Sequence, residues 1–195
     1  KVCSFTVAVF GLALLVPLTM AILDGSENGS AYAAVLLICE SLALSGTMAS
    51  WNFQITALTP RHMFLITSLS WLAMSGLGAL PLLLTETTLS ISDAVFESVS
   101  GLTTTGSTVL TGLDGMAADV LLWRSLLQWI GGLGVIAMAV AILPFLRVGG
   151  MRLFQTESSD WSDKALPRAK SMISRIIYLY IAMTGLCTLA FLYTG

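Results

Sequence analysis

Charge is what this sequence has least of. Only 10% of its 195 residues are Asp, Glu, Lys or Arg, against about 25% in a soluble domain. Hydrophobic residues make up 56%, and mean hydropathy is +0.88. Such a chain cannot clothe a water-facing globule, so it is an integral membrane protein. Histidine occurs once, and no HExxH or Walker motif is present, which leaves no catalytic constellation and no sign of an enzyme or an organic cofactor. With a net charge of −2 and no basic cluster, nothing suits nucleic acid. Cys3, Cys39 and Cys187 fall in apolar segments without CxxC or Cys/His spacing, which predicts buried structural thiols. An initiator Met is also missing, and Lys1 leads into an apolar run longer than a signal peptide's core and without a cleavage site. The sequence is therefore expected to begin and end inside a longer protein.

What is present is a series of membrane-length apolar runs. Val2 to Leu23 is long enough to cross, since about 20 residues at 1.5 Å rise span a core of about 30 Å. Pro17 is expected to kink that run or mark its outer end. The polar turn from Asp24 to Ser30 leads to a return crossing, Ala31 to about Trp51, with Glu40 in mid-span. Glu40 is a candidate proton or ion contact, although a structural hydrogen bond is the favoured expectation. Pro60 suits the first turn of the next crossing, Met63 to Leu84, where Ser75, Gly76, Gly78 and Ala79 form a small-residue face. Ser90 and Asp93 resemble a capping box, so a helix is expected from Ile91 to about Gly101. Eleven residues reach about 16 Å, half the membrane, which is a re-entrant helix. Val120 to Leu146 crosses back, a polar stretch follows from Arg147 to Arg175, and Ile176 to Tyr193 begins another crossing. The expected parts are a leading hairpin over 1–58, a helix–pore-helix–helix unit over 59–150, a cytoplasmic linker over 151–172 and the first helix of a further unit over 173–195.

Orientation follows from the basic residues. With these spans Lys1, Arg61, Arg147, Arg152, Lys164, Arg168, Lys170 and Arg175 share one side, Arg124 alone departs, and the positive-inside rule makes that side cytoplasmic. Asp24, Glu27, Glu86, Asp93, Glu97, Asp114 and Asp119 fall on or near the other side. They are expected either to line a mouth that concentrates cations or to sit in solvated loops.

The strip "ESVSGLTTTGST", Glu97 to Thr108, is the anomaly in this pattern. An ion entering a membrane must lose its water unless protein oxygens replace it, and backbone carbonyls of an extended loop can do so. Thr103, Thr104, Thr105, Gly106, Ser107 and Thr108 suit that task, because Gly106 tolerates positive φ and the hydroxyl residues add oxygens. The C-terminus of the short helix would also direct its partly negative end at a cation. The alternative is a polar turn between helices, built from the same residue types. Arg124 is expected to pair with Glu97 or another outer carboxylate and brace the strip, or to snorkel to the interface. Gly131, Gly132 and Gly134 lie inside a spanning helix, which points to close packing or a hinge. Trp71, Trp123 and Trp129 are expected to anchor or pack. The segment with Trp161, Lys164, Arg168 and Lys170 is expected to be a surface helix or linker.

"FESVSGLTTTGST" followed by "LLWRSLLQWIGGLGVIAMAVAILPFLRVGGMRLFQTE" resembles the first pore unit of the TrkH/TrkG/KtrB superfamily of potassium transporters, closest to the TrkH branch. The resemblance implies an all-α membrane protein in which four helix–pore-helix–helix units of one chain surround one path. It implies main-chain potassium ligands at Thr104 and Thr105, then Gly106, the glycine being associated with potassium preference. It further implies a bacterial inner-membrane location, a homodimer of full subunits in lipid and a TrkA-type nucleotide-binding ring on the cytoplasmic face. The sequence departs from the family in holding one filter strip; the gating loop of the third unit and the arginine of the fourth are not found in it. The reading is potassium uptake by part of a Trk-type subunit, symporter or channel-like. The alternatives are a simple homotetrameric potassium channel and a non-conducting membrane scaffold.

Overall fold

The computed structural model describes residues 1–52, 60–85, 87, 89–142 and 161–194. They form seven α-helices and one 3-10 turn, with no strand among the described residues. Two compact units result, Lys1–Gly132 and Leu133–Gly195.

In the first unit, α1 (Val2–Ala13) and α2 (Leu15–Asp24) make one apolar span of 23 residues bent at Leu14. Pro17 accounts for the bend, having no N–H to give to the preceding turn. The chain compensates with a tighter bond from Leu14 N to Gly11 O at 2.9 Å. Pro17 therefore kinks the span rather than ending it. The end is at Gly25, where φ of +68° lets Ser26 N reach back to Ala21 O at 2.9 Å.

Helix α3 (Gly29–Ala49) returns antiparallel, with Gly46 against Ser4 and Gly11 against Cys39. A Cβ on Gly11 would stand 2.7 Å from that of Cys39, so the two backbones approach as only a glycine allows. Glu40 Oε1 is buried at this level and accepts no hydrogen bond. Among the described residues the hydrogen bond expected for Glu40 is not made at this oxygen, which faces Gly11.

Helix α4 (Pro60–Leu84) begins at Pro60 and runs beside α1, with Ser70 Oγ donating to Cys3 Sγ at 3.5 Å and Phe10 set against Gly78. Helix α5 (Ile91–Leu102) starts at Ser90, whose Oγ accepts from Asp93 N at 3.2 Å and donates to Asp93 Oδ2 at 2.7 Å. It packs on α4 through Ser98 Oγ, which donates to Ser75 O at 2.8 Å and lies where a Cβ on Gly78 would fall. Gly76 does not share this face and borders open space. At 100° per residue it stands about 160° round the helix from 78 and about 100° from 75.

A 3-10 turn at Leu113–Gly115 precedes α6 (Ala118–Ile142), whose 25 residues reach about 37 Å. Trp123 and Leu127 are fully buried in the core with Phe10, Leu14, Tyr32 and Leu82. Trp123 thus packs rather than anchors, and its Nε1 donates to Gly78 O at 3.1 Å. Helix α5 ends at Leu102 beside Gly131, roughly halfway along α6. The short helix therefore stops at mid-depth, as a pore helix does.

In the second unit, α7 (Trp161–Thr194) is a single helix of 34 residues containing the apolar span Ser174–Thr194. The polar stretch from Trp161 onward is thus continuous with the crossing. Cys187 is exposed on α7 among exposed Leu186, Leu189 and Phe191, so this thiol is not buried as expected. Cys39 is buried, and Cys3 is half-buried with its Sγ 3.8 Å from Ile66 O. Glu86, Arg147 and Arg152, and the side chains of Trp161, Lys164, Arg168 and Lys170, lie outside the described residues.

Candidate functional site

The strip after α5 turns back on the helix it leaves. Thr103 N bonds Val99 O at 2.8 Å, Thr104 N bonds Gly101 O at 2.9 Å and Thr105 N bonds Ser100 O at 3.0 Å. Further along, Ser100 Oγ donates to Ser107 O at 2.6 Å, and Thr108 Oγ1 and Val109 N donate to Glu97 Oε2 at 3.1 and 3.0 Å. As the strip advances its partners move back along α5, so it climbs antiparallel to the helix. Down by helix and up by strip is a re-entrant loop.

The N–H groups of Thr103 to Thr105 are thereby turned toward the helix end. Thr104 has φ +57° and Gly106 φ +76°, with Thr105 between them on the ordinary side. In a plain extended strand successive carbonyls alternate in direction, whereas reversing φ at every second residue brings them toward one side. Thr104 is the one non-glycine residue with positive φ among the described residues. For a β-branched residue this is an outlier that surrounding contacts must hold in place. The carbonyls of Thr103, Thr104 and Thr105 accept no hydrogen bond among the described residues. Thr103 Oγ1 and Thr105 Oγ1 lie 2.8 Å apart, and the strip from Thr103 to Val109 is exposed.

Glu97 and Arg124 hold the back of the strip. Glu97 is 1% exposed. Its Oε1 accepts from Arg124 Nε, its Oε2 from Thr108 and Val109. Arg124 Nη2 reaches on to Gly106 O at 3.3 Å. One arginine therefore joins a buried carboxylate to a strip carbonyl, and Glu97 ties together α5, α6 and the ascending strip. Buried charges need this arrangement, since each must be paired and its remaining lone pairs met by donors.

Two carboxylates expected at an outer mouth or in solvated loops are in neither place. Glu97 is the internal acceptor just described, and Asp119 is likewise 1% exposed. Both are withdrawn because folded donors surround them. Asp24, Glu27 and Asp114 are exposed. Three further residues contribute. Ser100 carries the Ser107 carbonyl and sits three residues after Glu97, on the same helix face. Gln128, four residues after Arg124, has its Nε2 3.2 Å from where a Cβ on Gly106 would lie; a glutamine within an apolar crossing was the available signal. Tyr32 gives no signal in the sequence, yet its buried hydroxyl interacts with Asp119.

Of the glycines in "GGLG", Gly131 is explained by contact. A Cβ there would lie 2.9 Å from Leu102 Cα, 2.7 Å from its carbonyl carbon and closer still to its oxygen. Gly131 is where the pore helix ends against α6.

Membrane-length helices, a half-depth helix and a returning strip with unclaimed carbonyls define a multi-pass membrane protein of the pore-helix class. A family model described as "TrkH: Cation transport protein" matches residues 31–194, and the chain belongs to that family. It is 40% identical over all 195 residues to the Trk system potassium uptake protein TrkI of Halomonas elongata, covering 39% of that protein. It is 36% identical to the Trk system potassium uptake protein TrkH of Escherichia coli K12, with the whole chain aligned to 41% of that relative. The crystal structure of the potassium transporter TrkH from Vibrio parahaemolyticus matches with a TM-score of 0.80 at 34% identity, over 98% of this chain and 38% of that one. The chain spans about two fifths of the length of these relatives. Its family and its membrane-length apolar helices make it a multi-pass protein of the inner membrane.

Proposed function

We propose that this chain supplies one filter strip to a Trk-type potassium uptake subunit, with potassium as the transported ion, bound by main-chain oxygens of Thr104 and Thr105. The observation that carries this reading is the alternation of backbone hand at Thr104 and Gly106, which leaves unclaimed carbonyls on an exposed strip. Carbonyl oxygens there replace the hydration shell that a potassium ion sheds. Thr103 and Ser107 flank the ligands, while Glu97 and Arg124 support them from behind. The Gly106 carbonyl is drawn toward Arg124, so its share in coordination is smaller than that of the two threonines. Movement is down the electrochemical gradient and makes no covalent bond, so the chain is a transporter part and not an enzyme.

The chain's coverage of its relatives supports a larger subunit, in which further strips surround one path and the leading hairpin (1–58) lies outside the first pore unit (59–150). A homodimer of such subunits and a TrkA-type cytoplasmic ring complete the proposed system, the linker (151–172) and basic side facing the cytoplasm.

Gly106→Ser, made in the complete subunit, tests this. A left-handed backbone costs a non-glycine residue roughly 1–2 kcal/mol, and the added Cβ would press on Gln128 Nε2 at 3.2 Å. Preference for potassium over sodium is expected to fall about tenfold, in line with 1.4 kcal/mol per factor of ten. The measurement is competitive uptake in potassium-uptake-deficient bacteria, and unchanged preference at normal protein levels would refute the filter assignment.

A further inference from the structure

The leading hairpin does more than sit beside the pore unit. Asp119 lies in the first turn of α6 and is 1% exposed, where the helix N-terminus favours a negative charge but burial removes its water. Its polar partners among the described residues come from the hairpin. Ser26 Oγ, from the link between α2 and α3, donates to Asp119 Oδ2 at 3.4 Å, and the Tyr32 hydroxyl of α3 interacts with the same carboxylate. Tyr32 is itself fully buried, so its position is fixed.

One turn further along α6, Trp123 meets the hairpin again. Its ring stands edge-on to Phe10 of α1, with centroids 5.6 Å apart and planes at 66°. Residues 119 and 123 are four apart and share a helix face. The next residue, Arg124, points about 100° round the helix, to Glu97 and the Gly106 carbonyl. The hairpin thus grips α6 on one face at the same two turns from which α6 grips the strip on another. A slip of α6 by one residue, about 1.5 Å along its axis, would pull Arg124 out of reach of Gly106, and the contacts at 119 and 123 oppose that slip.

We propose that Tyr32 and Asp119 are positioning residues for the filter, the hairpin setting the height and rotation of α6 and, through Arg124, the direction of the Gly106 carbonyl. This rests on the filter reading above. It differs from a hairpin that serves only as an anchor in the membrane, because an anchor would not alter which ion is taken up.

The test uses the complete subunit in potassium-uptake-deficient bacteria, with Tyr32→Phe, Asp119→Asn, the double variant and Phe10→Leu. Membrane protein level, KM, maximal rate and the potassium-to-sodium preference are measured for each. Tyr32→Phe removes one hydroxyl and keeps the ring, so the protein level should hold while the preference falls about three- to tenfold, the range of one net hydrogen bond. The double variant should be no worse than Asp119→Asn alone, since both changes remove the same contact. Should Asp119→Asn fail to accumulate, Tyr32→Phe and Phe10→Leu still decide the matter. Uptake that falls only in proportion to protein level, with KM and preference unchanged in both, overturns the proposal. Gly106→Ser separates the two readings. If it shifts preference and the hairpin variants do not, only the positioning role is lost; if it shifts nothing, the filter reading falls and this inference with it.

Discussion

In the complete subunit proposed above, Glu97→Gln is expected to abolish most potassium uptake although it barely changes side-chain volume. Every group facing the Glu97 carboxylate is a donor: Arg124 Nε on one oxygen, Thr108 Oγ1 and Val109 N on the other. A glutamine amide must place its NH2 against one of these. Set toward Arg124 it opposes the guanidinium N–H and leaves the arginine without its counter-charge. Set toward the strip it opposes the Val109 amide and releases the ascending segment. Removing one partner of a buried pair costs about 3–5 kcal/mol, and at 1.4 kcal/mol per factor of ten the population holding the strip in place falls by about a hundredfold or more. The check is rubidium or potassium uptake at matched membrane protein level, together with Arg124→Gln and the double variant. The double variant should lose far less than the sum of the singles, because both remove one interaction. Additive losses would show that Glu97 and Arg124 act separately and would remove the brace from the mechanism.

Gly131→Ala is expected to have the second large effect, on folding rather than on ion choice. Alanine normally improves a helix interior by about 1 kcal/mol relative to glycine. Here its methyl would fall on the Leu102 backbone, the last residue of the pore helix, which cannot rotate away as a side chain could. Overpacking costs roughly 1–3 kcal/mol where side chains can yield, so a backbone clash lies at or above the top of that range. Gly76→Ala is the matched control, since Gly76 borders open space on α4. The two variants should differ sharply in the amount of folded subunit recovered in detergent and in its thermal midpoint. Equal recovery and equal midpoints would mean that α5 does not end tightly against α6.

Much of this arrangement was written locally enough to be read in one dimension. Helix α5 could be bounded beforehand because Ser90 and Asp93 carry its cap and the threonine run ends its apolar pattern. Pro60 sat where a first-turn proline belongs, and scarce charge identified the membrane as solvent. Arg124 and Glu97 could be suggested as partners because two charges in an apolar chain must find each other, and the structure brings them together. What could not be read were contacts set by which faces meet. Position along the chain places Glu97 and Asp119 near the outer side of the membrane but does not show whether each carboxylate points inward. Sequence spacing sets Gly76 beside Ser75 and Gly78, but only the packed helix pair shows which of these small residues touch. Thr104 gave no warning of its positive φ, since a β-branched residue takes that conformation only when bonds on both sides impose it.

Local sequence alone specified the solvent, the four membrane-length apolar spans found among the described residues, and a short helix followed by a hydroxyl-rich strip. These follow from composition and from cap and turn chemistry, which act over a few residues. Tertiary structure alone decided the direction of the strip's carbonyls and that Arg124 reaches Gly106. It also decided that Tyr32 of the hairpin meets Asp119. Those depend on α4, α5 and α6 meeting at Gly78, Gly101 and Gly131, where glycines let backbones close to distances that no local pattern specifies.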